Sequence, residues 1–270
     1  MNAKEKFNQV AEAITAEIIA ELEKGNAVWK KSFFSLKSHR AHNYFSGRPY
    51  EGFNQFYLAY KAYKNNYPTA QYISFKQANE LGGYIRKGEK SIPAIFWKVS
   101  NYATGKKNEV GEEETRKIFT PFMHYVFNIA QAEGIEFKPL EVQLRNNNVI
   151  DTCVSVVAEM PNAPQIKHRG NQPAYSLIND EVYMPMIGQF NNSESYSKEE
   201  LIAEIGATQL CAYAGIMTDE LKENSTAYLQ GWIKALKNDS SLLITAANKA
   251  GKAAKFILNL LEQETEVKSI

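Results

Sequence analysis

Two strand-like runs constrain the fold most. "SIPAIFWKVSN" (91–101) and "KIFTPFMHYVFNI" (117–129) are rich in β-branched and aromatic residues. The polar segment "YATGKKNEVGEEETR" joins them. Together they predict an antiparallel hairpin with a mobile tip.

The flanking patterns are helical. Phe7, Val10, Ile14, Ile18 and Leu22 recur at helical spacing and predict an amphipathic helix ending near Gly25. "NQFYLAYKAYKNN" (54–66) has the same period. Ser74 and Gln77 form a capping box, and Gly82-Gly83 end the short helix that follows. "VIDTCVSVVAEMP" (149–161) also fits a helix. Short strands fit "QIKHR", "AYSLI" and "EVYMP". Three helices are expected over 197–214, 225–237 and 240–263. The fold class expected is α+β. It has a small antiparallel sheet with helices in 1–137 and a helix-rich unit with a residual small sheet in 138–270.

Charge divides the chain in the same place. The net charge is only +1. Yet 24–107 holds 15 Lys/Arg against Glu51, Glu80 and Glu89, and 18 aromatic residues besides. Cations displace counterions along phosphates, and aromatic faces stack on unpaired bases. This mixture points to single-stranded nucleic acid. Lys30, Lys31, Arg40, Arg48, Arg86, Lys87 and Lys90 are the candidate contacts, because each lies in or beside a loop or turn. The bland alternative is that the aromatics are core and the cations a solvated face.

Other classes are disfavoured. No apolar run approaches the roughly 20 residues of a membrane span. The N-terminus has no apolar core of the kind secretory signals carry. Two cysteines, Cys153 and Cys211, are too few for a disulfide framework, so reduced thiols and a cytoplasmic location are expected. The sequence contains no phosphate-binding glycine motif and no nucleophile elbow.

"VWKKSF", "NYFSGRPYEGFNQFYL", "YISFKQANELGGYIRKGEKSIPAIFW" and "YVFNIAQAEGI" resemble the N-terminal domain of the ArdC antirestriction proteins of plasmids, phages and other mobile elements. That domain is associated with single-stranded DNA, which implies DNA contacts at Tyr50, Asn54 and Trp97 beside the cations above. Ser32-Phe33 departs from the Pro-Trp that the family often has there.

"PQIKHRGNQPAYSLINDEVYMP", "YSKEELIAEIGATQLCAYAGI" and "STAYLQGWIKAL" resemble the family's zincin-like metallopeptidase domain. The resemblance implies zinc, with Glu200 as a ligand and Glu204 orienting a histidine. Such a site needs His-Glu-x-x-His on an upstream helix. The four histidines, His39, His42, His124 and His168, form no such motif. The ten residues "MIGQFNNSES" leave no room for a helix of that length. Ser197 and Glu200 also fit a helix-capping box. The expectation is therefore a binding protein with no cofactor and a peptidase-like half that does not catalyse. It would partner single-stranded DNA and a host restriction-system protein, and could self-associate through its second half. Two alternatives remain open: a metal-dependent peptidase using His168, Asp180, Glu200 and Glu204, or a protein-interaction module.

Overall fold

The structure is a computed structural model. It describes residues 2–26, 28, 40–107, 113–136, 159–160, 162–169, 174–176, 178–184, 197–214 and 226–258. Helix α1 (Ala3–Glu23) begins at a capping box between Asn2 and Glu5. Strand β1 (His42–Asn43) precedes α2 (Gly52–Lys64), β2 (Gln71–Ser74) and α3 (Phe75–Glu80). Ser74 and Gln77 cap α3 reciprocally, as predicted, and Gly82 follows its end at φ 78°.

Strands β3 (Tyr84–Ile85) and β6 (Ala132–Glu133) form a two-stranded ribbon. β4 (Ile92–Lys107) and β5 (Glu113–Asn128) form the predicted hairpin and complete a four-stranded sheet in the order β1-β2-β5-β4. The strands run further than expected: Tyr102 pairs with Arg116 and Ala103 with Thr115. The connection 108–112 and most of the helix expected over 149–161 lie outside the described residues, and Glu159 and Met160 at its end are in a turn and a bend.

A second sheet, β7-β9-β8, comprises β7 (Gln165–His168), β8 (Ala174–Ser176) and β9 (Glu181–Met184). Three helices follow at the expected places: α4 (Ser197–Ala214), α5 (Thr226–Asn238) and α6 (Leu242–Ile257). The fold class is α+β, helix-rich toward its C-terminal part. No helix among the described residues is long and apolar enough to cross a membrane.

One apolar cluster joins early and late helices. Phe7, Ile14, Ile18 and Leu22 of α1 and Phe53 and Phe56 of α2 pack with Leu201 and Ile205 of α4, Trp232 and Leu236 of α5, and Leu243 and Ala247 of α6. Each large apolar side chain so buried contributes about 1.5–3 kcal/mol. Polar contacts follow the same seam. Thr15 donates its hydroxyl to the Ser240 carbonyl at 2.7 Å, and Lys237 pairs with Glu23 at 3.0 Å.

Candidate nucleic-acid interface

β4 is an edge strand, so its outer backbone groups need partners. Asn54 of α2 supplies them. Its side-chain amide donates to the Ile95 carbonyl at 2.7 Å, and its side-chain oxygen accepts the Ile95 N–H at 2.8 Å. This anchors the start of α2 beside the hairpin and leaves a groove of about 860 Å³ between them.

Facing strands of the hairpin put paired residues on one side. Ile95, Trp97 and Val99 of β4 lie opposite Met123, Pro121 and Phe119 of β5. Trp97, Val99 and Phe119 line the groove with Tyr50, Gly52 and Asn54. Trp97 is 41% exposed and Phe119 59%. The Trp97 ring also meets Phe7 of α1 at 5.4 Å, which fixes its position. The other face of the hairpin carries a second aromatic group. Phe96 stacks on Phe122 at 5.8 Å, and His124 sits edge-on to both at 5.4 Å.

The sequence-predicted residues separate into distinct places. Tyr50, Asn54 and Trp97 converge on the groove, but Tyr50 and Asn54 are each only 8% exposed. Burial pushes the Tyr50 phenol up from its ordinary value, so it stays neutral. These two form floor and frame, whereas Trp97 offers an open ring face. Arg48 is exposed in the turn before α2. Arg40 is half-buried. Lys87 and Lys90 are exposed in the turn after β3. Arg86 in that turn is committed to Glu89, with bonds of 3.1 and 2.7 Å. Glu89 also accepts from Gln131 at 2.8 Å. These bonds, Gln131's first and Arg86's second, hold the Glu89 carboxyl below its usual range. Lys30 and Lys31 lie outside the described residues.

Several cations of the basic window are neutralised locally. Lys61 and Lys64 of α2 both reach Glu17 of α1, at 2.9 and 3.0 Å. Lys24 pairs with Glu21 and Lys76 with Glu80. Phe119, Phe96, Phe122 and His124 were not singled out from sequence. The period-2 alternation of the two runs, aligned as a hairpin, carries that signal.

The peptidase-like half does not assemble a metal centre among the described residues. No three His, Cys, Asp or Glu side chains come together there. Glu200 and Glu204 are half-buried on α4. His168 is exposed in β7, and Asp180 occupies a turn at φ 51°. His42 and His124 belong to β1 and β5. The donor set among the described residues does not fit a zincin site. The side chains of Ser197, Tyr228 and Cys211, together with Cys153 and His39, lie outside the described residues. Trp232 and Leu236 are fully buried, as their spacing predicted.

Comparison with known proteins agrees with this layout. Residues 8–127 match the N-terminal domain of the anti-restriction factor ArdC, and 189–249 match a zincin-like metallopeptidase family. The metal-free crystal structure of the antirestriction ArdC protein from plasmid R388 superposes with a TM-score of 0.62 at 27% identity. That match covers 92% of this chain and 96% of that one. Its Mn(II)-bound structure matches with the same TM-score at 25% identity. Among curated proteins, DNA primase TraC of Escherichia coli is 26% identical over 94% of this chain. The chain spans only about a quarter of TraC, 27% of its length. The uncharacterised y4eC protein of Sinorhizobium fredii is 24% identical and is covered over 91% of its length. Both alignments, at 307 and 287 positions, exceed the 270 residues of this chain, so these relatives hold residues for which it has none. The chain thus carries an ArdC N-terminal domain match over 8–127 followed by a zincin-like metallopeptidase match over 189–249, and superposes over nearly its whole length on an antirestriction ArdC protein.

Proposed function

We propose that this protein binds single-stranded DNA along the β4–β5 hairpin and acts as an antirestriction factor for mobile DNA. The observation that carries the reading is the pair of open rings, Trp97 and Phe119, on the groove face of an edge hairpin. Unpaired bases can lie on such rings, while duplex DNA keeps its base faces stacked internally. Lys117, paired with Asn101 on the same face as Trp97 and Phe119, supplies charge for the phosphates, while Lys98 and Arg116 belong to the opposite face. The solved R388 relative is named an antirestriction protein, and the TraC relatives are named DNA primases. Both names support a role with DNA for this chain. The site of action in this reading is the cytoplasm, and the further partner is a host restriction-system protein.

In the same reading the zincin-like segment does not catalyse. The chain lacks His-Glu-x-x-His, and the relatives' longer alignments agree with a lost segment. The division of labour is then DNA binding in 1–137 and a supporting role for 138–270.

The deciding experiment is a fluorescence-anisotropy titration of the full chain with a labelled oligothymidylate and a duplex of equal length, across several salt concentrations. Tighter binding to the single strand, falling steeply with salt, is expected. Equal or tighter binding to the duplex would remove the reading.

A further inference from the structure

The groove beside the hairpin has a wall that does not come from the first half of the chain. Asn248, Gly251 and Lys252 of α6 line it together with Trp97, Val99 and Phe119. The helix reaches this position through a glycine contact. A Cβ placed on Gly251 would lie 2.9 Å from the Gly52 Cα, so only glycine lets α6 approach the start of α2 this closely. The two cations that α6 brings differ in kind. Lys255 is buried and ion-paired with Glu51, so its charge is committed. Lys252, nearly one turn earlier, is exposed and makes no ion pair among the described residues.

We propose that Lys252 contacts a phosphate of the single strand whose base enters this groove against Trp97 and Phe119. The proposal rests on the single-strand reading above and extends it to the second half of the chain. α6, which begins within the zincin-like match and continues past it, supplies part of the DNA site. The chemistry of the groove fits one nucleotide unit. Aromatic rings form one wall and suit a planar base. A free ammonium on the facing helix suits the adjoining anionic oxygen. The groove volume accommodates a base with its sugar. A peptide segment lacks the regular negative charge that would use Lys252.

The test uses the full chain with Lys252→Glu, Lys252→Gln, Trp97→Ala and a charge control, Lys76→Glu, on the exposed face of α3. Lys252→Glu is expected to raise the Kd for oligothymidylate about tenfold at low salt, and Lys252→Gln about threefold. Both should reduce the slope of log Kobs against log salt by about 0.7, the value for one lost phosphate contact on a single strand. Lys76→Glu should change neither. If Trp97→Ala weakens binding while Lys252→Glu binds as the parent does, the proposal falls and the hairpin reading stands. If neither variant affects binding, both fall. Reduced affinity with an unchanged salt slope would overturn the phosphate contact. Release of a groove-bound fluorescent dye by an unstructured peptide but not by oligothymidylate would make the occupant a protein segment and overturn the assignment.

Discussion

Asn248 and Phe53 stand 195 residues apart and meet at the start of α2, where the Asn248 side-chain oxygen accepts the Phe53 N–H at 2.9 Å. Glu51, the residue in the capping position, makes no side-chain cap bond. The helix is therefore capped by another helix. Gln209 of α4 reinforces the junction, donating to the carbonyls of Gly52 and Ala247 at 3.3 Å each.

The first prediction follows from that cap. Asn248→Ala should lower stability by about 1–2 kcal/mol, the usual range for losing a helix cap. Urea denaturation should show the loss as a shifted midpoint with an unchanged slope. Fluorescence and circular dichroism should give coincident transitions, because α1, α2 and α6 share one core.

The second concerns acid. Burial raises the Glu17 carboxyl, but hydrogen bonds from Lys61 and Lys64 outweigh it and hold the group below its ordinary value of 4.5. A carboxyl depressed on folding stabilises the protein at pH above its unfolded value. That stabilisation is lost as pH falls through the folded value. Stability should thus decline below about pH 4.5. Glu17→Gln should flatten the decline there and cost stability at neutral pH, read by denaturant midpoints at several pH values.

The third separates stacking from charge. Trp97→Ala and Phe119→Ala should each weaken oligothymidylate binding by about 1–3 kcal/mol. Neither removes a cation, so the salt slope should stay as in the parent protein. Phe122→Ala, on the opposite face, should have a smaller effect. A larger loss from Phe122→Ala than from Trp97→Ala would move the strand to the other face.

A fourth addresses the peptidase-like half. The full chain, purified and then dialysed against zinc, should retain less than stoichiometric metal by elemental analysis. Glu200→Gln and Glu204→Gln should bind oligothymidylate as the parent does. One tightly held zinc per chain, lost in Glu200→Gln, would contradict the non-catalytic reading.

The fifth concerns the isolated 150–270 fragment. Leu201, Ile205, Trp232 and Leu236 belong to the cluster that α1 and α2 complete. Removing those helices bares apolar surface. The fragment should self-associate or melt well below the full chain, as light scattering and calorimetry would show. A monomer with a high, cooperative transition would contradict this.

Much of this architecture is legible in local sequence, because caps and periodicity are local. The α3 box at Ser74 and Gln77 and the three late helices fall where expected. The hairpin is longer than its composition indicates, since Tyr102 to Lys107 and Glu113 to Arg116 are polar and turn-like yet continue the ladder. Backbone pairing carries those residues without help from apolar side chains.

The site was legible only in part. Trp97 is visible as an aromatic beside a lysine, and it stands in the groove. The charge of the basic window overstates what a ligand meets, because Glu17 and Glu21 of the preceding helix take up Lys61 and Lys64. Asn54 looks like a polar ligand contact, yet both its hydrogen-bonding groups serve Ile95. Lys252 lies far outside the basic window 24–107, and only tertiary packing brings it to the groove.

The bond between Thr15 and Ser240 spans 225 residues, and that span sets a schedule for synthesis. At about 5–20 residues per second, a ribosome takes roughly 10–45 s to make the partner of α1 after α1 itself. During that interval the stripe of Phe7, Ile14, Ile18 and Leu22 has no α5 to cover it. The core that α1 shares with the late helices therefore cannot close until α5 has been made, however early the first half is synthesised.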